Sequence, residues 1–164
     1  MSHPLKSSIG VQGHLRVTAR HAKTGAVVRR ISIRNTITYR ALDALVQLIS
    51  QTAAIDPIDH KITALHVGTG TTPPVRGNTA LQVDNHIIGL TDSNKVLTVS
   101  DPFELKVLAT LEAGVDEDTF NGVTLSEAGL FTVSGNLFAR QVHPGIPKTT
   151  ALVIDYDWRV AFTA

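Results

Sequence analysis

The chain contains no cysteine. That excludes disulfides, thiolate-based structural zinc and thiol catalysis, and it allows synthesis inside a cell. No stretch approaches the ~18 consecutive apolar residues of a membrane-spanning helix. Met1-Ser-His-Pro-Leu-Lys also lacks the apolar segment of a secretory leader, so a soluble protein with no membrane partner is expected. Aromatic residues are scarce, with one Trp, two Tyr and five Phe in 164 residues. Acidic residues are missing altogether from residues 1–40, which hold Lys6, Arg16, Arg20, Lys23, Arg29, Arg30, Arg34 and Arg40. The rest of the chain carries seven basic and fourteen acidic groups, so +8 stands against −7 within a net charge of +1.

Clustered arginines have two uses. They neutralise phosphates in nucleic-acid binding, but here no aromatic is interleaved among them and the acidic remainder repels a phosphate chain. They also pair with acidic surfaces of neighbouring proteins, and this second use is favoured. A solvated basic face without a partner is the plain alternative.

A chain of this length is expected to form one domain with a substantial core. Residues 1–13, rich in Ser, Gly, Gln and Pro, read as an extended N-terminal arm, and residues 14–164 as a single β-rich domain. Leu15, Val17 and Ala19 alternate with Arg16, Thr18 and Arg20, which predicts a half-buried strand. Lys23-Thr24-Gly25 turns the chain into a second strand, with Ile31 and Ile33 opposite Arg30, Ser32 and Arg34. One helix is predicted near residues 37–51, capped by Asn35, Thr36 or Thr38, with a stripe of Ala41, Leu42, Leu45, Leu48 and Ile49. Strands follow at 62–67, 85–90, 95–99 and 103–111, the middle two flanking a turn at Asp92-Ser93-Asn94. Residues 115–120 read as an exposed acidic loop. Pro144-Gly-Ile-Pro-Lys reads as a break before a long final strand, where Leu152, Ile154, Tyr156, Trp158, Val160 and Phe162 share one face. Trp158 is read as packing in the core or between subunits. The expected fold is a mainly β, antiparallel, jelly-roll-like sandwich with one packed helix.

The stretch Thr124–Val142, TLSEAGLFTVSGNLFARQV, predicts a hairpin turning at Ser134-Gly135-Asn136. It brings Phe131 near Phe138 and sets Glu127 and Arg140 towards its open end. Those charges are either solvated on a strand or paired and partly buried, fixing register or a subunit contact.

Catalytic patterns are absent. Gly68-Thr-Gly-Thr-Thr-Pro-Pro lacks the Gly-Lys-Ser/Thr of a phosphate loop and the third glycine of a dinucleotide fingerprint, and reads as a rigid surface loop. Ser126 has no Gly-x-Ser-x-Gly frame. Asp155 and Asp157 resemble paired glycosidase acids only in spacing. The histidines show no helical pair, and His60 and His66 join Asp56 and Asp59 as metal ligands only if the loops converge. No enzyme activity, metal or cofactor is expected.

Several segments together resemble tailed-bacteriophage virion proteins, in particular tail, collar and baseplate proteins that anchor fibres. These are the N-terminal hairpin leading to Arg34-Asn35-Thr36-Ile37-Thr38, then Val67-Gly68-Thr69-Gly70, Ser126-Glu127-Ala128-Gly129-Leu130-Phe131, Leu137-Phe138-Ala139-Arg140, and a last strand with Trp158 and Phe162. The resemblance spans about residues 14–162, and the Glu-x-Gly-Leu-Phe hairpin with Phe-Ala-Arg is its most specific part. It implies a non-enzymatic β-rich module that assembles in several copies with other virion proteins, is made in the host cytoplasm and resides in the virion. Fibre-anchoring members often continue into a repetitive shaft, which this chain lacks. An adaptor in the tail, neck or baseplate therefore stands first, and a capsid decoration protein second. A carbohydrate-binding host-recognition module using Tyr156, Trp158 and loop acids is the third reading. The interaction residues expected on these grounds are Arg16, Arg20, Arg30, Arg34, Glu127 and Arg140, with Phe131, Phe138 and Trp158 in packing or interface roles.

Overall fold

Alternation of apolar and polar residues dominates the chain, and the computed structural model, which describes residues 10–50, 57–98, 103–114 and 120–163, is accordingly built mainly of strands. These are β1 (Gly10–His21), β2 (Val27–Ile37), β3 (Ile62–Gly68), β4 (Asp84–Gly89), β5 (Lys95–Thr98), β6 (Phe103–Leu111), β7 (Thr124–Thr132), β8 (Leu137–Pro147) and β9 (Leu152–Thr163), with helix α1 at Tyr39–Ser50. All pairings are antiparallel, and the strands form one curled nine-stranded sheet in the order β4-β3-β7-β8-β2-β1-β9-β6-β5. Its two halves meet at a narrow junction, where β2 touches β8 only through Thr36–Arg140 and Ile37–Ala139.

The concave face is apolar because the alternation is regular. Leu15, Val17 and Ala19 of β1, Val107, Ala109 and Leu111 of β6, and Ile154, Tyr156, Trp158 and Val160 of β9 are buried with Leu65, Val67, Ala128 and Leu130 from the other half. Thr38 caps α1: its hydroxyl accepts from Ala41 N at 3.2 Å and donates to the Leu137 carbonyl at 2.6 Å, tying the helix to β8. The helix buries Ala41 and Ala44 and half-buries Leu42 and Leu45, but Leu48 is exposed, so the apolar stripe is shorter than predicted. The side chain of Ile49 lies outside the described residues.

Four boundaries differ from expectation. Residues 10–13 belong to β1, where Gly10 faces Thr163 and Val11 faces Phe162, so the domain begins before residue 14; residues 1–9 lie outside the described residues. β4 and β5 do flank the Asp92–Asn94 turn, but they lie at opposite edges of the sheet, β4 on β3 and β5 on β6. The proline segment does not break the chain, because β8 runs to Pro147. That part of β8 pairs with β7 and has no β2 partner on its other side, so prolines are tolerated as they are on an edge. Finally, Phe120 is buried against the His86 ring instead of ending an exposed loop, while residues 115–119 lie outside the described residues.

Candidate functional site

The β7–β8 hairpin turns where predicted. Gly135 takes a positive φ of 76°, which favours glycine, and Thr132 N donates to the Asn136 carbonyl at 3.0 Å. In the register that follows, Gly129 faces Arg140 and Glu127 faces Val142. Arg140 donates to Glu127 Oε2 from Nε at 3.0 Å and from Nη2 at 2.7 Å. Both side chains are buried, at 0% exposure for Glu127 and 2% for Arg140.

The remaining capacity of the carboxylate is taken by backbone. Glu127 Oε1 accepts from Gly70 N at 3.0 Å and Val83 N at 2.7 Å, and Oε2 accepts from Gln82 N at 3.1 Å. Arg140 Nη1 donates to Asn78 Oδ1 at 3.1 Å, and that oxygen also accepts from Val75 N. Ser126 Oγ adds a bond to the Gly70 carbonyl at 2.9 Å. A Cβ at Gly70 would collide with the Glu127 carboxylate, and one at Gly68 with the Val83 carbonyl. The glycines of Gly68-Thr-Gly70 thus let a loop close over the carboxylate of the chain's own hairpin. Glu127 and Arg140 form a clamp on residues 69–83, and a carboxylate with five donors has no lone pair left for a reaction.

Under the clamped loop lies a second small apolar cluster of Leu81, Phe131 and Leu137. The predicted Phe131–Phe138 pair is corrected: a register shift between Leu130 and Phe131 puts Phe131 opposite Leu137, and Phe138 packs in the main core. Phe131 instead stacks on the His66 ring at a centroid distance of 3.9 Å, and His66 Nδ1 is bonded to Asp84.

The convex face of β2, β1, β9 and β6 carries the other charges. Cross-strand register sets Arg34 beside His14 and Arg159, Ser32 beside Arg16 and Asp157, and Arg30 beside Thr18 and Asp155. Arg16, Arg30 and Arg34 are exposed and have no ion pair among the described residues. Arg20 is different: its Nε donates to Asp155 at 2.7 Å, and that bond raises its pKa above the ordinary value. Arg20 is thus engaged within its own chain, unlike the other three, which have no ion pair among the described residues. Asp155 also accepts from Thr110 at 3.0 Å, while Asp157 contacts Arg159 and Lys106. The two aspartates are each neutralised by cross-strand or same-strand partners, which is not the arrangement of an acid and a nucleophile.

Trp158 and Tyr156 are each 1% exposed and face the core. Neither ring presents a face for a sugar, which corrects the stacking role, and of the two packing roles expected for Trp158 it is the core one that its burial fits. Among the described residues, no group of three or more His, Asp or Glu side chains is placed to hold a metal; Asp56 lies outside them. Sequence reasoning missed Asn78 and the amides of Gly70, Gln82 and Val83. The glycine spacing at 68 and 70 was the available signal, and it pointed to an anion without saying which. No family profile, curated protein or solved structure matches this chain.

Proposed function

We propose that the protein is a non-enzymatic structural component of a tailed-phage virion, an adaptor or appendage-anchoring subunit that joins other proteins in the tail, neck or baseplate. One contrast carries the reading. The Glu127–Arg140 charges are consumed inside the fold, whereas Arg16, Arg30 and Arg34 lie on one exposed sheet face with no ion pair among the described residues. A buried, saturated pair fixes register, and a row of unpaired guanidinium groups suits carboxylates on a neighbouring surface. The partners are other virion proteins and further copies of this chain, with no nucleic acid or cofactor involved. In this reading the two halves of the curled sheet act as facing layers of a sandwich, a stiff block between its neighbours. The protein is made in the host cytoplasm and ends in the virion.

Quantitative mass spectrometry of purified particles tests the proposal. A few to a few dozen copies per particle support a tail, neck or baseplate position. Hundreds of copies place the protein among capsid decoration proteins instead, and its absence from particles overturns the virion reading. Replacing Arg16, Arg30 and Arg34 with alanine should lower incorporation while leaving the thermal melt unchanged.

A further inference from the structure

At 61% exposure, Tyr39 has the most open aromatic ring among the described residues. It borders a groove of about 290 Å³ together with Arg40 and Asp43 of α1 and with Arg76, Asn78 and Thr79 of the clamped loop. Arg40 and Arg76 are exposed, and neither has an ion pair among the described residues. Asp43 is exposed as well, and its Oδ2 accepts from Gln47 at 2.8 Å.

The backbone on both sides of the groove is fixed by bonds already made. Tyr39 N donates to the Arg76 carbonyl at 2.9 Å, which ties the start of the helix to the loop. Thr38 caps the helix and anchors it on β8. Asn78 N donates to the Val75 carbonyl at 3.0 Å, and Asn78 Oδ1 accepts from Val75 N and from Arg140, so the Glu127–Arg140 clamp reaches this wall. Rigid walls that carry exposed side chains lower the ordering cost of binding.

The lining selects the ligand. Two guanidinium groups without a carboxylate of their own call for one from outside. An exposed phenol ring is an apolar platform with a polar tip. Asp43 accepts hydroxyl protons and repels a run of acids, so the combination suits a molecule with one acid group, several hydroxyls and a flat apolar face. An acidic peptide repeats its charge and fits Asp43 poorly. The volume lies near the lower bound of small-molecule sites, about 300 Å³.

We infer that this groove binds a saccharide unit bearing a carboxylate, with its ring on Tyr39, its acid group on Arg40 and Arg76, and its hydroxyls on Asp43 and Thr79. The inference goes beyond the assembly reading, uses none of the convex-face arginines and does not depend on that reading.

Isothermal titration calorimetry of the full chain tests it with four probes: a glucuronic-acid oligosaccharide, free glucuronic acid, the matching glucose oligosaccharide and an oligoglutamate peptide. The uronate oligosaccharide is expected to bind saturably and about tenfold more tightly than the neutral one. Tighter binding of the oligosaccharide than of free glucuronic acid assigns the site to a polymer, and equal binding per unit assigns it to a single sugar. Tyr39→Ala should weaken uronate binding about tenfold, whereas Tyr39→Phe, which keeps the ring, should stay within about twofold. R40A/R76A should abolish the preference for uronate over glucose and leave the neutral binding in place, a change that a merely structural role would not produce. All these positions are exposed, so circular dichroism and the thermal melt should match wild type. R16A/R30A/R34A should bind as wild type does. The inference is overturned if the uronate probes show no saturable binding at millimolar concentration, if Tyr39→Ala and R40A/R76A leave binding unchanged, or if R16A/R30A/R34A abolishes it. Oligoglutamate that binds as tightly as the uronate overturns it too, since the groove is then a peptide site. Copy number in particles, measured separately, decides the assembly reading.

Discussion

Replacing Glu127 by glutamine should be among the most damaging single changes in this protein. The side chain is 0% exposed and bonds Arg140 twice at 2.7–3.0 Å while accepting three backbone amides. Glutamine keeps one carbonyl oxygen for the amides but turns an NH₂ group towards other donors, and it leaves the Arg140 guanidinium buried without its counter-charge. Breaking a buried pair by removing one member costs about 3–5 kcal/mol. Arg140→Met should sit at the lower end of that range, because the Glu127 carboxylate keeps its three amides. Glu127→Gln should sit at the upper end, because Arg140 keeps only the Asn78 oxygen.

For a domain of this size, 1 kcal/mol corresponds to about 2–4 °C in melting temperature, so the Glu127→Gln melt should fall by roughly 10–20 °C. Urea denaturation followed by circular dichroism gives the free energy directly. A local readout separates the clamp from general damage. Trypsin cleavage after Arg76, inside the clamped loop, should accelerate more in Glu127→Gln than cleavage after Arg30, which lies on a paired strand. The partly exposed Arg20–Asp155 pair serves as the reference, and its removal should cost only about 0–1 kcal/mol. If Glu127→Gln and Arg140→Met both cost no more than that reference, the clamp does not hold the loop and the reasoning fails.

Gly70→Ala should destabilise by about 1–3 kcal/mol in the same urea assay, because the added methyl meets a pinned carboxylate. Tyr156→Phe should be neutral or stabilising by up to about 1 kcal/mol, since the buried hydroxyl has no partner among the described residues; a large loss would show a bond that the structure lacks. His143 has a pKa held below the ordinary histidine value, chiefly by burial and also by Arg29, against the opposing effects of the Pro144 carbonyl and Glu127. The unfolded chain therefore binds the proton more readily, so the stabilising contribution is present above about pH 6.5 and is lost as pH falls through and below that value. His143→Phe should flatten that part of the stability curve. Deleting residues 2–9 should leave the melt unchanged, whereas deleting residues 2–13 should cost about 1–3 kcal/mol through lost Val11 packing and strand pairing.

The regular half of the fold was legible because period-two burial is written locally. β6 and β9 follow from alternation alone, and the β7–β8 hairpin follows from a glycine at a position that needs positive φ. What alternation cannot supply is the partner of a strand. β4 and β5 are separated by five residues, yet they end on opposite edges, since each is recruited by a neighbour distant in sequence or by the strand that follows it. The proline-rich end of β8 misled for a related reason: proline forbids a ladder bond on one side only, and which side is open depends on tertiary neighbours. At the site, Glu127 and Arg140 were identifiable as a pair, but their burial was not. The lid that buries them comes from residues 69–83, and no local pattern in the hairpin encodes a loop 44–57 residues away. Trp158 and Tyr156 show the converse case, where the strand period had already placed both rings on the core face and a binding role required ignoring it.

The segments Val-Gly-Thr-Gly, Ser-Glu-Ala-Gly-Leu-Phe and Leu-Phe-Ala-Arg, read separately, suggest a rigid surface loop and the two strands of a hairpin. In three dimensions they are one unit. The backbone amides around the glycines converge on an anion as they would on a phosphate, but the anion is Glu127, neutralised by Arg140 and sealed from water. An external phosphate would have to displace a buried carboxylate whose like charge repels it, so the loop cannot serve both. These segments are therefore a folding signature, and their chemistry is complete inside the chain. Under the assembly role proposed above, contacts lie on surfaces that the signature does not occupy, and the convex face with Arg16, Arg30 and Arg34 is such a surface. The two regions should then separate cleanly by mutation. Changes to the clamp lower stability and, through it, assembly; changes to the arginine face lower assembly with stability intact.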